Sequence, residues 1–292
     1  MSEIHSILCL SDSRRRSGAA LDTAVRLARR TAARLTLADL MEDGRQVVEP
    51  IRAERRRQLE RRAERCRRQE VDPGLLLLDG DPVRSVAEAV TRHGFDLVVK
   101  SPDAATDPAL VRRCPAPVWV AREGGANDHA PGAPRRILAA VEPFAWESDF
   151  DLNRAVLERA AELADLLDAE LHVVSTWTPG PLASLAGSGR LAALEAEARR
   201  AQEELVERLP SVSVPPDRLH LAGGAAAEAV PAVARRERAD LLVAGSAARE
   251  GIVRLLVGNT AERLLRRADR SVLIVRGDDV TPAGAAVESS AA

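Results

Sequence analysis

Residues 240–276 read DLLVAGSAAREGIVRLLVGNTAERLLRRADRSVLIVR. Two apolar runs, DLLVA and SVLIV, enclose a segment that contains Gly245 and Gly258 and then a helical pattern, RLLRR. Continuous Val/Leu/Ile runs are typical of strands that are covered on both faces of a parallel sheet. Glycines that open a helix after a strand leave backbone N–H groups free to hold a phosphate. The stretch therefore predicts a strand, a candidate phosphate loop, a helix and a second strand.

A similar pattern occurs earlier in the chain. GDPVRSVAEAVTRHGFDLVV at 80–99 aligns without gaps on GAAAEAVPAVARRERADLLV at 224–243, and LVRRCPAPVWVAR at 110–122 aligns on LLRRADRSVLIVR at 264–276. A Gly/Pro/Ala-rich stretch, EGGANDHAPGAP, separates the two halves. This self-similarity predicts a tandem repeat. The units we expect are a first domain at 1–122, a linker at 123–134, a second domain at 135–277 and a disordered tail at 278–292.

Within each half, apolar strands alternate with amphipathic helices. The first strands are ILCL and ILAAV, and the long helices that follow them carry Ala and Leu at three- and four-residue spacing. This alternation predicts an α/β class protein with two doubly wound domains, each a five-stranded parallel sheet with helices on both faces. Ligands bind such sheets at the carboxyl ends of the strands, where the strand order reverses. Glu142 follows the first strand of the second half, and Gly245 follows its fourth.

The composition narrows the class of protein. The chain has 292 residues, enough for about two domains, and its net charge of −2 is too balanced for a dedicated polyanion binder. The cysteines are far apart, which argues against a disulfide framework and fits a reducing compartment. The N-terminus lacks the pattern of a signal peptide, and no apolar run approaches the ~20 residues that span a bilayer. We expect a cytoplasmic protein without a membrane span.

On these residues the second half resembles the universal stress protein family, whose nucleotide-binding members carry G-x-x-G, nine residues and then G-[S/T] after strand four. Gly245 falls on the first position, Ala248 on the second, Gly258 on the third and Asn259 on the Ser/Thr position. The tandem arrangement, GNTAE and RRCPAPVWV resemble the E-type tandem members. The resemblance runs over 4–276. It implies two Rossmann-like domains of the adenine nucleotide alpha hydrolase type, which meet through their last strands like a fused dimer.

The resemblance also implies a ligand, ATP or AMP with Mg²⁺, in the second domain. In the family the first glycine lies near the ribose, the later Gly and Ser/Thr contact the phosphates, and an acidic residue after strand one contacts the nucleoside. The implied site residues are Glu142, Val174 (through its backbone), Gly245, Ala248, Gly258, Asn259 and Thr260. Two features depart from a simple phosphate loop. Ala248 adds a Cβ where the backbone approaches the phosphates, and NTAE also fits a helix cap with Glu262 at N3.

The first half has lost this loop. Asp96 and Leu110 are fourteen positions apart, whereas the equivalent Asp240 and Leu264 are twenty-four apart. The remaining segment, KSPDAATDPAL, contains no glycine. We therefore expect the first half to act as an intramolecular partner rather than as a nucleotide site.

Three classes of function stay open. The protein is an adenine-nucleotide sensor, a binding protein for an apolar or other non-nucleotide ligand, or a ligand-free interaction scaffold. No general base or hydrolase motif is visible, so we expect a stress-response regulatory protein rather than an enzyme. Whether the fused pair dimerises again also stays open.

Three other features have structural interpretations. The segment 52–70 carries nine Arg and four Glu at spacings that suit ion pairs on a solvated amphipathic helix, so we expect no specific nucleic-acid site there. The histidines are isolated along the chain, and we expect His172 and His220 to be structural and no metal to be bound. Cys66 lies among the arginines, which could lower the pKa of its thiol and allow a redox role.

Overall fold

The computed structural model describes residues 4–11, 18–41, 49–103, 107–123, 134–144, 147–178, 188–246 and 259–276. Ala248, Gly258, the interior of the linker (124–133) and the tail from 277 onward lie outside these residues, as does the side chain of Asn259. The interpretations that concern those positions stay predictions.

Among the residues that the structure describes, each half contributes five strands to one sheet. The strands of the first half are β1 (Ser6–Ser11), β2 (Arg34–Met41), β3 (Gly74–Asp79), β4 (Leu97–Lys100) and β5 (Val118–Val120). Those of the second half are β6 (Arg136–Val141), β7 (Glu170–Trp177), β8 (Leu219–Gly223), β9 (Leu241–Ser246) and β10 (Ser271–Arg276). The strand order is β3-β2-β1-β4-β5-β10-β9-β6-β7-β8, and the strands are parallel within each half. The order therefore reverses between β1 and β4 and again between β6 and β9.

The two halves meet at the centre of the sheet. β5 and β10 pair antiparallel, with Val120 opposite Val272 and Trp119 opposite Leu273. The expected meeting of the last strands is thus confirmed, and the sheet runs without a break from one half into the other. The Trp119 side chain lies at this junction and is fully buried.

The helices cover both faces of the sheet, as a doubly wound fold requires. They are α1 (Ala19–Thr31), α2 (Glu49–Arg67), α3 (Pro82–His93), α4 (Asp107–Arg113), α5 (Glu147–Leu167), α6 (Ser188–Glu207), α7 (Ala226–Arg236) and α8 (Asn259–Arg267). One core joins the sheet to α1, α2, α5 and α6, and the other joins it to α3, α4, α7 and α8. Both are built of Leu, Val, Ile and Ala, so the predicted fold class is confirmed.

A carboxylate before the fourth strand anchors each half. Asp96 accepts hydrogen bonds of 2.8 Å from the two backbone N–H groups at the start of β1. Asp240 accepts equivalent bonds of 2.8 and 3.2 Å from the start of β6. Because hydrogen bonds to a carboxylate are stronger than neutral ones, these contacts fix the register of the first and fourth strands, whose far ends form the candidate site.

Candidate functional site

The candidate site lies where β6, β7 and β9 end. Val141, the last residue of β6, is paired with Ser175 of β7. One row earlier, Ala140 is paired with Ala244 of β9, so Gly245 falls in the same row as Val141 and Ser175. Residues in one row point to the same face, here the face covered by α5 and α6. This row is the floor of the predicted site.

Gly245 is a glycine for a steric reason that the structure makes explicit. A Cβ at this position would lie 2.7, 2.8 and 2.9 Å from Cγ, Cδ1 and Cδ2 of Leu152, well inside van der Waals contact. The missing side chain therefore allows the start of α5 to approach the end of β9. The resemblance places this glycine near a ribose, and the structure assigns it a packing role as well.

Glu142 leaves β6 in a conformation fixed by Asn153 of α5. The Asn153 Oδ1 accepts from the backbone N–H of Glu142 at 3.0 Å, and the Asn153 Nδ2 donates to its carbonyl at 2.8 Å. Glu142 is exposed, whereas Asn153 is buried. Sequence reasoning missed Asn153. A signal was present, because asparagine is a poor residue for a helix interior unless its side chain has a partner.

The end of β7 carries the most informative polar group. Val174 is fully buried in the core on the α7 side. Its backbone is paired with Ala140 of β6 on one side and with His220 of β8 on the other. A backbone contact to a ligand would therefore come from the residues after it. The next residue, Ser175, is 0% exposed, and its hydroxyl has no hydrogen-bond partner among the described residues. A buried hydroxyl without a partner is unfavourable by about 1–3 kcal/mol, so Ser175 is a strong candidate for contact with a ligand.

At the equivalent position the first half has an ion pair. Asp39 occupies the last paired row of β2, as Ser175 does in β7, and its carboxylate lies 3.3 Å from the guanidinium of Arg55 on α2. Burial raises the pKa of Asp39, and the charge of Arg55 opposes that shift. Counting from the buried residues of each helix places Leu194 of α6 where α2 has Arg55. The second half therefore has an uncharged residue at the helix position from which Arg55 reaches Asp39 in the first half.

A buried ion pair also closes the end of β4, where the first half lacks the glycine loop. The ammonium of Lys100 contacts the Asp107 carboxylate, and the two side chains are only 7% and 6% exposed. The second oxygen of Asp107 accepts from the backbone N–H of Asp103 at 2.9 Å. This arrangement supports the expected structural role of the first half.

The start of α8 is described only in part. The helix begins at Asn259, with Thr260 exposed in its first turn, and the capping role of the Asn259 side chain stays a prediction. The Glu262 carboxylate lies 2.5 Å from the guanidinium of Arg112 in the first half and 3.6 Å from that of Arg266. These two arginines offset a negative charge that would otherwise repel a phosphate here.

The arginine-rich helix is confirmed as an ion-paired surface helix. α2 buries only Leu59, Ala63 and Cys66. Its arginines pair within the helix and with Asp22, Asp39, Asp72 and Asp79 on neighbouring elements. These partners account for much of the charge that the sequence concentrates in this segment.

The structure bears on two hypotheses about single side chains. Burial raises the pKa of the Cys66 thiol to about 11 despite the nearby Arg65, so the arginines do not activate it. His172 and His220, which are isolated along the chain, are neighbours in the fold, with the Nδ1 of the first 2.9 Å from the Nε2 of the second. They are 48 residues apart in the chain, and no local pattern indicates that β7 and β8 bring them together.

Comparisons with known proteins agree with this fold. The family model described as the universal stress protein family matches residues 134–276. The chain is 26% identical over 211 residues to the universal stress protein E homolog of Haemophilus influenzae and 24% identical over 214 residues to universal stress protein E of Escherichia coli. These alignments cover 66% and 68% of this chain, and 65% and 66% of the relatives, just under two thirds of their length.

Two solved structures are similar over nearly the whole chain. A Pseudomonas aeruginosa PAO1 protein of unknown function has a TM-score of 0.73 and 26% identity, with 94% of each chain covered. A putative universal stress protein from Pseudomonas aeruginosa UCBPP-PA14 has a TM-score of 0.70 and 25% identity, over 94% of this chain and 95% of that one. None of the helices in the described ranges is long and apolar enough to cross a membrane.

Proposed function

Because the chain belongs to the universal stress protein family, we propose that it is a stress-response regulatory protein that binds an adenine nucleotide in its second half. The buried Ser175 hydroxyl is the observation that carries this proposal, because it has no hydrogen-bond partner among the described residues and lies at the end of β7, next to the point where the order reverses between β6 and β9. The spacing of Gly245, Gly258 and Asn259 supports a phosphate-bearing ligand. The three buried thiols, Cys9, Cys66 and Cys114, support a cytoplasmic location.

Each group in the proposed site has a chemical role that suits its position. The exposed Glu142 carboxylate accepts hydrogen bonds from ribose hydroxyls, and Asn153 holds the backbone that presents it. The buried Ser175 hydroxyl donates a hydrogen bond to an adenine nitrogen. The backbone of the loop at 247–258 and the N-terminus of α8 hold the phosphates, with Mg²⁺ offsetting their charge. This arrangement binds a nucleotide, and we propose no turnover.

A second candidate is a non-nucleotide, apolar ligand. Leu194 in place of Arg55 and the close packing of Leu152 on Gly245 favour it, since both make this end of the sheet more apolar than the equivalent end of the first half. Both candidate ligands would contact the floor of the site at Ser175. Only the nucleotide would also contact the phosphate loop.

Calorimetric titration with ATP and AMP, with and without Mg²⁺, tests the proposal on protein that native mass spectrometry shows to be empty. Ser175→Ala is expected to weaken binding about fivefold, the equivalent of ~1 kcal/mol, without loss of stability, because it removes a buried hydroxyl that lacks a partner. Gly258→Asp is expected to weaken ATP binding at least tenfold by repulsion. Gly189→Asp is the matched control, because a Cβ there meets nothing within 4 Å.

The outcomes separate the candidates. An empty protein that gives no heat with either nucleotide refutes nucleotide binding. An apolar molecule retained through purification, and lost in Ser175→Ala, supports the second candidate.

A further inference from the structure

A cluster of two histidines and two carboxylates lies away from the candidate nucleotide site. His172 of β7 and His220 of β8 are neighbours, Glu170 is at the start of β7, and Glu237 directly follows α7. His172 pairs with Leu138, three rows before the end of β6, so the cluster is about 10 Å along the strands from the site floor. Each histidine side chain is only 9% exposed.

The four side chains form a line. The Glu170 Oε2 lies 3.7 Å from the His172 Nε2, the His172 Nδ1 lies 2.9 Å from the His220 Nε2, and the His220 Nδ1 lies 3.7 Å from the Glu237 Oε1. The two rings are almost coplanar, with an angle of 4° between their planes and 5.2 Å between their centroids. Their inner nitrogens therefore face one another directly.

Two neutral imidazoles cannot provide a hydrogen-bond partner for every nitrogen in this line. One inner nitrogen must carry a proton to bond the other, so one of the rings has a bare outer nitrogen. That bare nitrogen faces a carboxylate at 3.7 Å, which is too long for a hydrogen bond and offers it no proton. The His172 Nε2 is indeed buried without a hydrogen-bond partner among the described residues. A cation between the rings removes the conflict, because both outer nitrogens then carry protons toward the carboxylates.

We propose that His172 Nδ1 and His220 Nε2 bind a divalent transition-metal ion of the zinc class, with the Glu170 and Glu237 carboxylates, 3.7 Å from the outer ring nitrogens, offsetting its charge. Imidazole is the ligand such ions prefer among neutral side chains, and a metal-bound histidine usually donates its other N–H to a carboxylate or carbonyl. One ligand atom from each of His172, His220 and Glu237 lies within 4.8 Å of the other two, a spacing at which three side chains can share one ion.

The surroundings leave both rings able to face an ion. With both ring protons on the outer nitrogens, both inner lone pairs point between the rings. Arg136 and Arg218 hold the Glu170 carboxylate at 2.8 and 3.3 Å, and Arg236 holds Glu237 at 2.6 Å. These arginines fix the carboxylates without filling the space between the rings. Zinc bonds of about 2.0–2.1 Å in tetrahedral geometry need the two nitrogens about 3.3 Å apart with their lone pairs converging at about 109°, so the rings must open from 2.9 Å and turn out of their present alignment.

The first half offers no equivalent pair, because Thr36 occupies the row of β2 that His172 occupies in β7. The proposal therefore predicts one ion per chain. The test titrates the metal-free full chain with Zn²⁺ in competition with a chromogenic chelator. His172→Asn and His220→Asn are each expected to weaken Zn²⁺ binding at least tenfold. His93→Asn, a substitution of an exposed histidine on α3, is the matched control and is expected to leave the affinity unchanged.

A second measurement keeps the test independent of variant stability. In the unsubstituted protein, nitrogen-detected NMR of the histidine rings should show the signals of two rings shifting together with one equivalent of Zn²⁺. Equal affinity in the wild-type protein and both variants, or no ring shift at one equivalent, would overturn the proposal. Ring signals that respond to acid but not to Zn²⁺ would also overturn it, because they would assign the space between the rings to a proton.

Discussion

The contact between Gly245 and Leu152 makes a quantitative prediction about stability. Gly245→Ala places a Cβ 2.7–2.9 Å from three atoms of the Leu152 side chain. Overpacking of this kind destabilises a fold by about 1–3 kcal/mol. The substitution also removes the backbone freedom of glycine from the unfolded chain, which stabilises by about 0.4–1 kcal/mol. The expected net change is a loss of about 1–2 kcal/mol in the free energy of unfolding.

Gly223→Ala is the matched control, since Gly223 ends β8, another strand of the same half. A Cβ there would have its nearest contacts at 3.8 and 3.9 Å, on the Trp177 ring, which is ordinary van der Waals contact. Only the effect on the unfolded chain remains, so this variant is expected to be slightly more stable than wild type. The two glycine substitutions should therefore differ in sign.

Urea unfolding followed by circular dichroism measures both variants, with an unchanged slope showing that the denatured state is comparable. Leu152→Ala completes a double-mutant cycle. In that background the added Cβ of Gly245→Ala has room, so its effect should become neutral or stabilising and give a coupling energy of about 1.5–3 kcal/mol. A Gly245→Ala variant as stable as Gly223→Ala, or additive effects in the cycle, would refute the steric explanation.

Three further predictions concern buried groups. Lys100→Met leaves the Asp107 carboxylate buried without its cation, so urea unfolding should show a loss of about 3–5 kcal/mol. Burial holds the pKa of His172 and His220 below the ordinary 6.5, so the unfolded chain takes up more protons as the pH falls. The urea midpoint of the metal-free protein should therefore drop below about pH 6.5, and less so in a double His→Gln variant. With the pKa of Cys66 near 11, a thiol reagent should react with it at pH 7.5 only after denaturant is added.

Much of the fold follows from patterns that are local in the sequence. The apolar runs, the helical spacing and the alignment of residues 80–99 on 224–243 predict the strand–helix alternation, and parallel sheets covered on both faces are the usual outcome. The aligned aspartates, Asp96 and Asp240, anchor the first and fourth strands of their halves in the same way. The meeting of β5 and β10 could be expected only from the family resemblance, because no local pattern marks which strand edges pair.

The candidate site was predictable in position but not in chemistry. Glu142 and Gly245 could be placed at the switch point from element order alone. The lack of a partner for Ser175 could not be foreseen, because a serine at a strand end gives no sign of its surroundings. The pairing of His172 with His220 depends on the register of β7 against β8, and a shift of one residue would turn one ring to the other face.

The antiparallel pairing of β5 and β10 also determines how the contact between the two halves responds to dilution of the protein. Two separate domains that met through these strands would associate according to their concentration. Here the partner is tethered, so the meeting of the halves is intramolecular and its effective concentration is set by the linker alone. Each chain therefore carries its own partner and does not exchange it for another domain at that edge. A change in the concentration of the chain therefore changes the number of joined halves in proportion, while the fraction that is joined stays the same.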